Sequence, residues 1–101
     1  MSRHKYNARR TVVDGISFAS AKEARRYGEL KLLERAGQIS ELKLQVRYKL
    51  VQTVTYVADF EYYDTKKKTR VTEDVKGMLT PLYKRKKKLM KEQHNIEILE
   101  S

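Results

Sequence analysis

Between residues 42 and 50 the apolar side chains fall on every second position: Leu42, Leu44, Val46, Tyr48 and Leu50. That period belongs to a half-buried strand, because successive side chains on an extended backbone point to opposite faces. Val54–Asp64, rich in Val, Tyr and Phe, predicts a second strand, and Arg70–Lys76 a third, broken by Gly77. The segment Thr65–Thr69 between these two is short and polar, so they should pair as a hairpin. A smaller hairpin is predicted over Thr11–Phe18, with Asp14-Gly15 as its two-residue turn. Ser20-Ala21-Lys22-Glu23 is a capping-box pattern and opens a helix that should end near Ala36, with Gly37 as a left-handed cap. Pro81 starts a second helix, where its missing N–H costs nothing, and that helix runs to about His94. Ile96–Leu99 closes the order as a last short strand. The expected fold is α/β (α+β): a short hairpin, then α, β, β, β, α, β, with a mixed sheet flanked by helices.

Composition narrows the picture. With 101 residues, 40% of them hydrophobic, the chain can build one small core and no second domain. We therefore expect a single domain over residues 11–101, preceded by a flexible basic arm at 1–10. The absence of Cys excludes disulfide scaffolds, thiol catalysis and Cys-based zinc sites. No apolar run approaches the ~20 residues of a membrane span. The start MSRHKYNARR is basic with no apolar stretch behind it, so no secretory signal is read and a cytoplasmic protein is expected.

Charge says more. Lys and Arg number 23 against 13 Asp and Glu, a net charge of +10. The cations form three blocks: Arg3, His4, Lys5, Arg9 and Arg10; Lys66, Lys67, Lys68 and Arg70; Lys84, Arg85, Lys86, Lys87, Lys88 and Lys91. One such run is usually a solvated face, but three in a small chain point to a nucleic-acid partner. Binding through them would be salt-dependent and indifferent to base sequence, since these side chains neutralise phosphates. A membrane surface fits less well. The second helix carries only Leu82, Tyr83, Leu89 and Met90 as apolar residues, which suits a core face.

The acids are the candidate chemistry. On a helical projection with Glu23 at zero, Tyr27 falls at about +40°, Leu30 at about −20° and Leu33 at about −80°. Glu23 thus points into the apolar stripe, which is costly for a carboxylate unless it is paired or bound. The plainer alternative is that Glu23 only completes the cap of Ser20. If Thr65 to Thr69 hold the hairpin turn symmetrically, Asp64 faces Thr69 and Asp59 faces Asp74. Like charges placed opposite each other destabilise a sheet unless something positive lies between them. Oxygen-only ligands of that kind suit Mg²⁺ or Mn²⁺. The alternative is a pair of exposed acids on a wet sheet face. Alternation puts Lys76 on the same side as Asp74, where its ammonium could steady charge developing on a phosphate. Glu73 points with Val71 and Val75. Lys86 lies near the centre of the second helix's apolar stripe, either snorkelling from the core edge or reaching toward a phosphate.

The pattern Glu23 … Gln45 … Asp59 … Asp74-Val75-Lys76 resembles the PD-(D/E)XK nuclease superfamily, whose core order is αβββαβ. Lys5-Tyr6-Asn7-Ala8, the Ser-x-x-Glu-Ala-Arg-Arg-Tyr stretch ending at Tyr27, Tyr56-Val57-Ala58-Asp59-Phe60 and Glu73-Asp74-Val75-Lys76-Gly77 resemble a family of small phage and prophage nucleases similar to Holliday junction resolvases. Ala58 stands where the superfamily name expects Pro, and Val46 where relatives often carry Pro after the Gln. The resemblance implies a restriction-endonuclease-like core. It implies Asp59 and Asp74 as metal ligands with the Val75 carbonyl as a third, and Glu23 holding the metal or a water on it. Lys76 would be the catalytic lysine, and Gln45 would line the site.

The expected activity is Mg²⁺-dependent (or Mn²⁺-dependent) hydrolysis of DNA phosphodiester bonds, with branched DNA such as a Holliday junction as preferred substrate. Arg3, Lys5, Arg9, Arg10 and Lys84, Arg85, Lys86, Lys87, Lys88 would hold the duplex backbone. A junction cut on two strands requires two sites, so a homodimer is expected. Other classes stay open: a nuclease of linear DNA, a non-catalytic nucleic-acid-binding protein on the same scaffold, or a phage adaptor protein.

Overall fold

The computed structural model describes residues 10–77 and 79–101; Arg3, Lys5 and Arg9 of the expected basic arm lie outside them. The chain forms β1 (Thr11–Val13), β2 (Ile16–Phe18), α1 (Ala21–Arg35), β3 (Ile39–Lys49), β4 (Thr55–Asp64), β5 (Thr69–Asp74), α2 (Pro81–His94) and β6 (Ile98–Glu100). This is a mixed α+β fold with the expected element order. β1 and β2 form a two-stranded hairpin, and β3-β4-β5-β6 form a four-stranded sheet. β3, β4 and β5 pair antiparallel, whereas β6 lies parallel to β5.

Local chemistry sets the helix ends. The Ser20 hydroxyl accepts from the Glu23 N–H at 3.1 Å and starts α1. Gly37, at φ +77°, lets the chain leave α1 through the left-handed region. Thr80 caps α2 in the same way as Ser20, through the Tyr83 N–H at 3.1 Å. At the far end of α2, Asn95 is left-handed (φ 56°), and the Ile96 N–H reaches back to the Met90 carbonyl at 3.2 Å. That tie postpones β6 to Ile98.

Two other strand ends differ from the expected bounds. β3 begins at Ile39 because a bulge at Glu41 (φ 56°) shifts the register between Ser40 and Lys43. β5 stops at Asp74 rather than Lys76. Beyond it the Val75 N–H donates to the Asp59 carboxylate at 2.8 Å. The Lys76 N–H is taken by the Ser101 carbonyl and the Ser101 N–H by the Asp74 carbonyl, both at 3.0 Å.

The core has two parts. Phe18, Ala24, Tyr27, Leu30, Ile39, Phe60 and Tyr62 pack together with α1, and Leu50, Tyr56, Ala58, Tyr83, Met90 and Ile98 pack together with α2. The long strands serve both. On β4 the changeover falls between Ala58 and Phe60, at Asp59; on β3 it falls between Leu44 and Tyr48. Gln45, with a positive φ of 55°, sits in that interval and opposite Asp59 in the β3–β4 register. Polar side chains are thus placed at the seam between two apolar clusters. No helix among the described residues is long and apolar enough to cross a membrane.

Candidate active site

The β4–β5 hairpin has the register expected from its turn. Asp64 pairs with Thr69 and Phe60 with Glu73, so the next position sets Asp59 against Asp74. The two carboxyl groups lie close enough for Asp74 to act on the charge of Asp59. Burial pushes the Asp59 carboxyl up to about 8; Asp74 and the charge of Glu23 push the same way, and only the Val75 N–H opposes them. At pH 7 Asp59 therefore keeps a proton that an ordinary aspartate has lost.

Asp74 is 3% exposed. Its Oδ2 accepts from the Tyr56 hydroxyl at 2.6 Å and faces the Lys76 Nζ at 3.0 Å. The same Nζ lies 3.9 Å above the centre of the Tyr83 ring. The Tyr83 hydroxyl donates to Glu100 at 2.7 Å, and Lys87 closes on Glu100 at 2.9 Å. Lys76 is therefore held between a carboxylate and an aromatic face that is itself tied down. Burial and Glu100 raise the Tyr83 hydroxyl above the ordinary tyrosine range, and burial with Asp74 does the same for Tyr56. Both phenols stay neutral and act as donors.

Glu23 is buried at the start of α1, as the helical projection places it, and accepts from Gln45 Nε2 at 3.2 Å. Its N–H bonds Ser20 as well, so cap and site share one residue. Glu23, Asp59, Asp74, Val75, Lys76 and Lys86 all line one cleft of about 530 Å³, open between the first turns of α1 and α2. Among the described residues no three His, Cys, Asp or Glu side chains converge as a ready-made metal cage. What the cleft offers a cation is two adjoining carboxylates, with Glu23 turned to Gln45. That donor set fits Mg²⁺, which takes one or two carboxylates and keeps several waters. A divalent ion would displace the proton held by Asp59.

The family described as "Protein of unknown function (DUF1064)" matches residues 3–99. The chain belongs to it. No curated protein and no solved structure matches the chain.

The DUF1064 chain does not gather all of its expected basic residues at the cleft. Lys86 lines it, and Lys84, Arg85 and Lys88 are exposed on the same helix. Lys87 is engaged by Glu100. Arg10 bonds Ser17 on the small hairpin at 3.2 Å. The block at Lys66–Arg70 lies at the other end of the hairpin, about 17 Å from the acids along β4 at ~3.4 Å per residue. There Arg70 pairs with Glu61 and Glu41, and Glu61 also accepts from Tyr48.

Glu73 faces away from the cleft, as alternation requires. It is fully buried at 0% exposure. Arg26 grips it from α1 through Nε at 2.6 Å and Nη2 at 3.1 Å, joined by Tyr62 at 2.6 Å and Ser101 at 2.7 Å. Burial alone would raise this acid, but the three donors outweigh it and hold the carboxyl below its usual range. The contacts of Tyr56 with Asp74 and of Tyr83 with Lys76 belong to no sequence motif. The available signal was the choice of aromatic: seven Tyr against two Phe in a chain this small. Buried phenols need partners.

Proposed function

We propose that the chain is a divalent-metal-dependent DNA endonuclease of the PD-(D/E)XK type, hydrolysing phosphodiester bonds in branched DNA such as four-way junctions. The observation that carries this reading is the meeting of Asp59 on β4, Asp74 at the end of β5 and Lys76 just beyond it in one cleft beside a basic helix. The order αβββαβ after the first hairpin supports the restriction-endonuclease-like assignment.

In this reading Asp59 and Asp74 hold Mg²⁺ or Mn²⁺, with the Val75 carbonyl beside them. When bound, the ion supplies Lewis acidity at the scissile phosphate and makes water a better nucleophile. Water oxygen forms the new bond to phosphorus as the ester P–O bond breaks and the leaving oxygen takes up a proton. The Lys76 ammonium donates to the phosphoryl oxygen as its charge grows. Tyr56 fixes the Asp74 carboxylate, and Glu23, steadied by Gln45 from behind the cleft lining, orients the attacking water from the other wall. Lys84, Arg85, Lys86 and Lys88 neutralise backbone phosphates without reading bases, which leaves shape as the basis of selection. Cutting both strands of a junction calls for a homodimer. The setting is the cytoplasm of a bacterial host, with the protein phage- or prophage-encoded.

The test is cleavage of a labelled four-way junction, a flap and a linear duplex. We expect nicks at the junction with Mg²⁺ and none in EDTA. Lys76→Ala should be slower by about 10²-fold or more, the scale seen when one transition-state donor is removed. Equal products with Mg²⁺, with EDTA and with Lys76→Ala, or intact DNA of every shape with Mg²⁺ and with Mn²⁺, overturns the reading.

A further inference from the structure

We infer that Lys22 and Arg25, on the first two turns of α1, form a phosphate subsite that holds the backbone of the cut strand beside the active-site cleft. The ligand follows from the nuclease reading above; the site itself follows from three features of the structure.

The first is position. A second depression of about 390 Å³ is lined by Lys22, Arg25, Arg26, Glu29, Val75 and Ser101. Val75 is also a wall of the active-site cleft, so the two depressions adjoin. The Lys22 Nζ donates to the Lys76 carbonyl at 2.8 Å, two residues along the chain from Asp74. Its other two N–H groups are available to a ligand.

The second is uncompensated charge. Arg26 is neutralised by Glu73 at 2.6 Å and by Glu29 at 2.9 Å. Neither acid contacts Lys22 or Arg25, and three cations here face two carboxylates. Arg25 has no hydrogen-bond or ion-pair partner among the described residues, and Lys22 has only the neutral carbonyl.

The third is local cost. Lys22 and Arg25 are three residues apart and so share a helix face, where like charges repel. Lys22 also sits in the first turn, where the helix dipole disfavours a cation. An anion lying across both relieves the repulsion, and the exposed amides of the first turn add to its attraction. The strand would then run from the cations of α2, across Asp59 and Asp74, to Lys22 and Arg25.

The test is binding of a fluorescent four-way junction in EDTA, by anisotropy, from 50 to 250 mM KCl. Each lost phosphate contact should reduce the slope of log K against log salt by about 0.9 and weaken binding about tenfold near 0.1 M salt. We therefore expect Arg25→Gln to lower the slope by about one and Lys22→Gln/Arg25→Gln by about two, with Lys22→Arg/Arg25→Lys like wild type. Arg25→Gln breaks no bond among the described residues, so it decides the matter even if Lys22→Gln disturbs the fold. An unchanged slope in Arg25→Gln and in the double variant, while Lys84→Gln/Arg85→Gln flattens it, removes the subsite and leaves the nuclease reading standing. A wild-type protein that binds no DNA at 50 mM salt removes both.

Discussion

Replacing Asp59 by Asn should end cleavage and yet make the metal-free protein more stable. The folded-state carboxyl lies at about 8, against ~3.9 for an aspartate in an unfolded chain. Between those values the folded protein keeps a proton that the unfolded chain has released. Stability from this group is therefore greatest below about pH 4, falls as pH rises toward 8, and levels off above it. At pH 7 the interval is roughly three pH units, or ~4 kcal/mol at ~1.36 kcal/mol per unit. The amide removes the titration, keeps an oxygen for the Val75 N–H, and turns an N–H toward Asp74. It retains its own desolvation cost, so about half of the interval, ~2 kcal/mol, is expected as gain. For a domain of this size that is about 10 °C in Tm. Thermal melts of both proteins in EDTA at pH 5, 6, 7 and 8 provide the assay. The gain should be small at pH 5 and widen toward pH 8, and Mg²⁺ should raise the Tm of wild type alone. An Asp59→Asn protein that melts below wild type at pH 7, or a gain equal at pH 5 and pH 8, refutes the account of the acid pair.

Two further outcomes follow from neighbouring contacts. Arg26→Ala strands the fully buried Glu73 carboxylate and should cost about 3 kcal/mol in urea unfolding. Since Glu73 is held below its usual range, its stabilising effect is present at neutral pH and lost as pH falls through its folded value. Glu73→Gln should flatten the acid limb of the stability curve, and an identical acid limb in wild type and variant argues against the network. Tyr83→Leu removes the ring beneath Lys76 and should lower kcat about tenfold, the rate equivalent of a ~1.4 kcal/mol cation–π contact. Tyr83→Phe keeps the ring and should stay within about threefold; equal losses in the two variants would point to the hydroxyl.

Some of this was legible in the sequence and some was not, for reasons that can be named. The alternation from Leu42 to Leu50 marks β3 because one of its faces is apolar and the other wet. It gives no hint of Ile39–Glu41, where the bulge breaks the period. The polar turn at Thr65–Lys68 pins the hairpin register, and the facing of Asp59 and Asp74 follows by counting. The end of β5 was misplaced because it depends on a carboxylate from β4 capturing the Val75 N–H, a contact no local pattern records. Glu23 was legible as a buried acid, since the helical period alone aims it inward. Its bond to Gln45 depends on a left-handed residue inside a strand, which propensity disfavours. Arg26 reads as one more surface cation until β5 passes beneath it. Lys22 and Arg25 form no run in the sequence, because they are neighbours only on the wound helix.

Ser101 bears on the order of events in synthesis. Its N–H and carbonyl bracket Asp74 and Lys76, and its hydroxyl reaches Glu73. A nascent chain that has emerged only through residue 97 already carries every acid of the cleft but lacks the clamp on the backbone between Asp74 and Lys76. The ribosome must release a few more residues before the backbone that carries Lys76 is pinned, so a partly made or clipped polypeptide holds the acids without a fixed ammonium beside them.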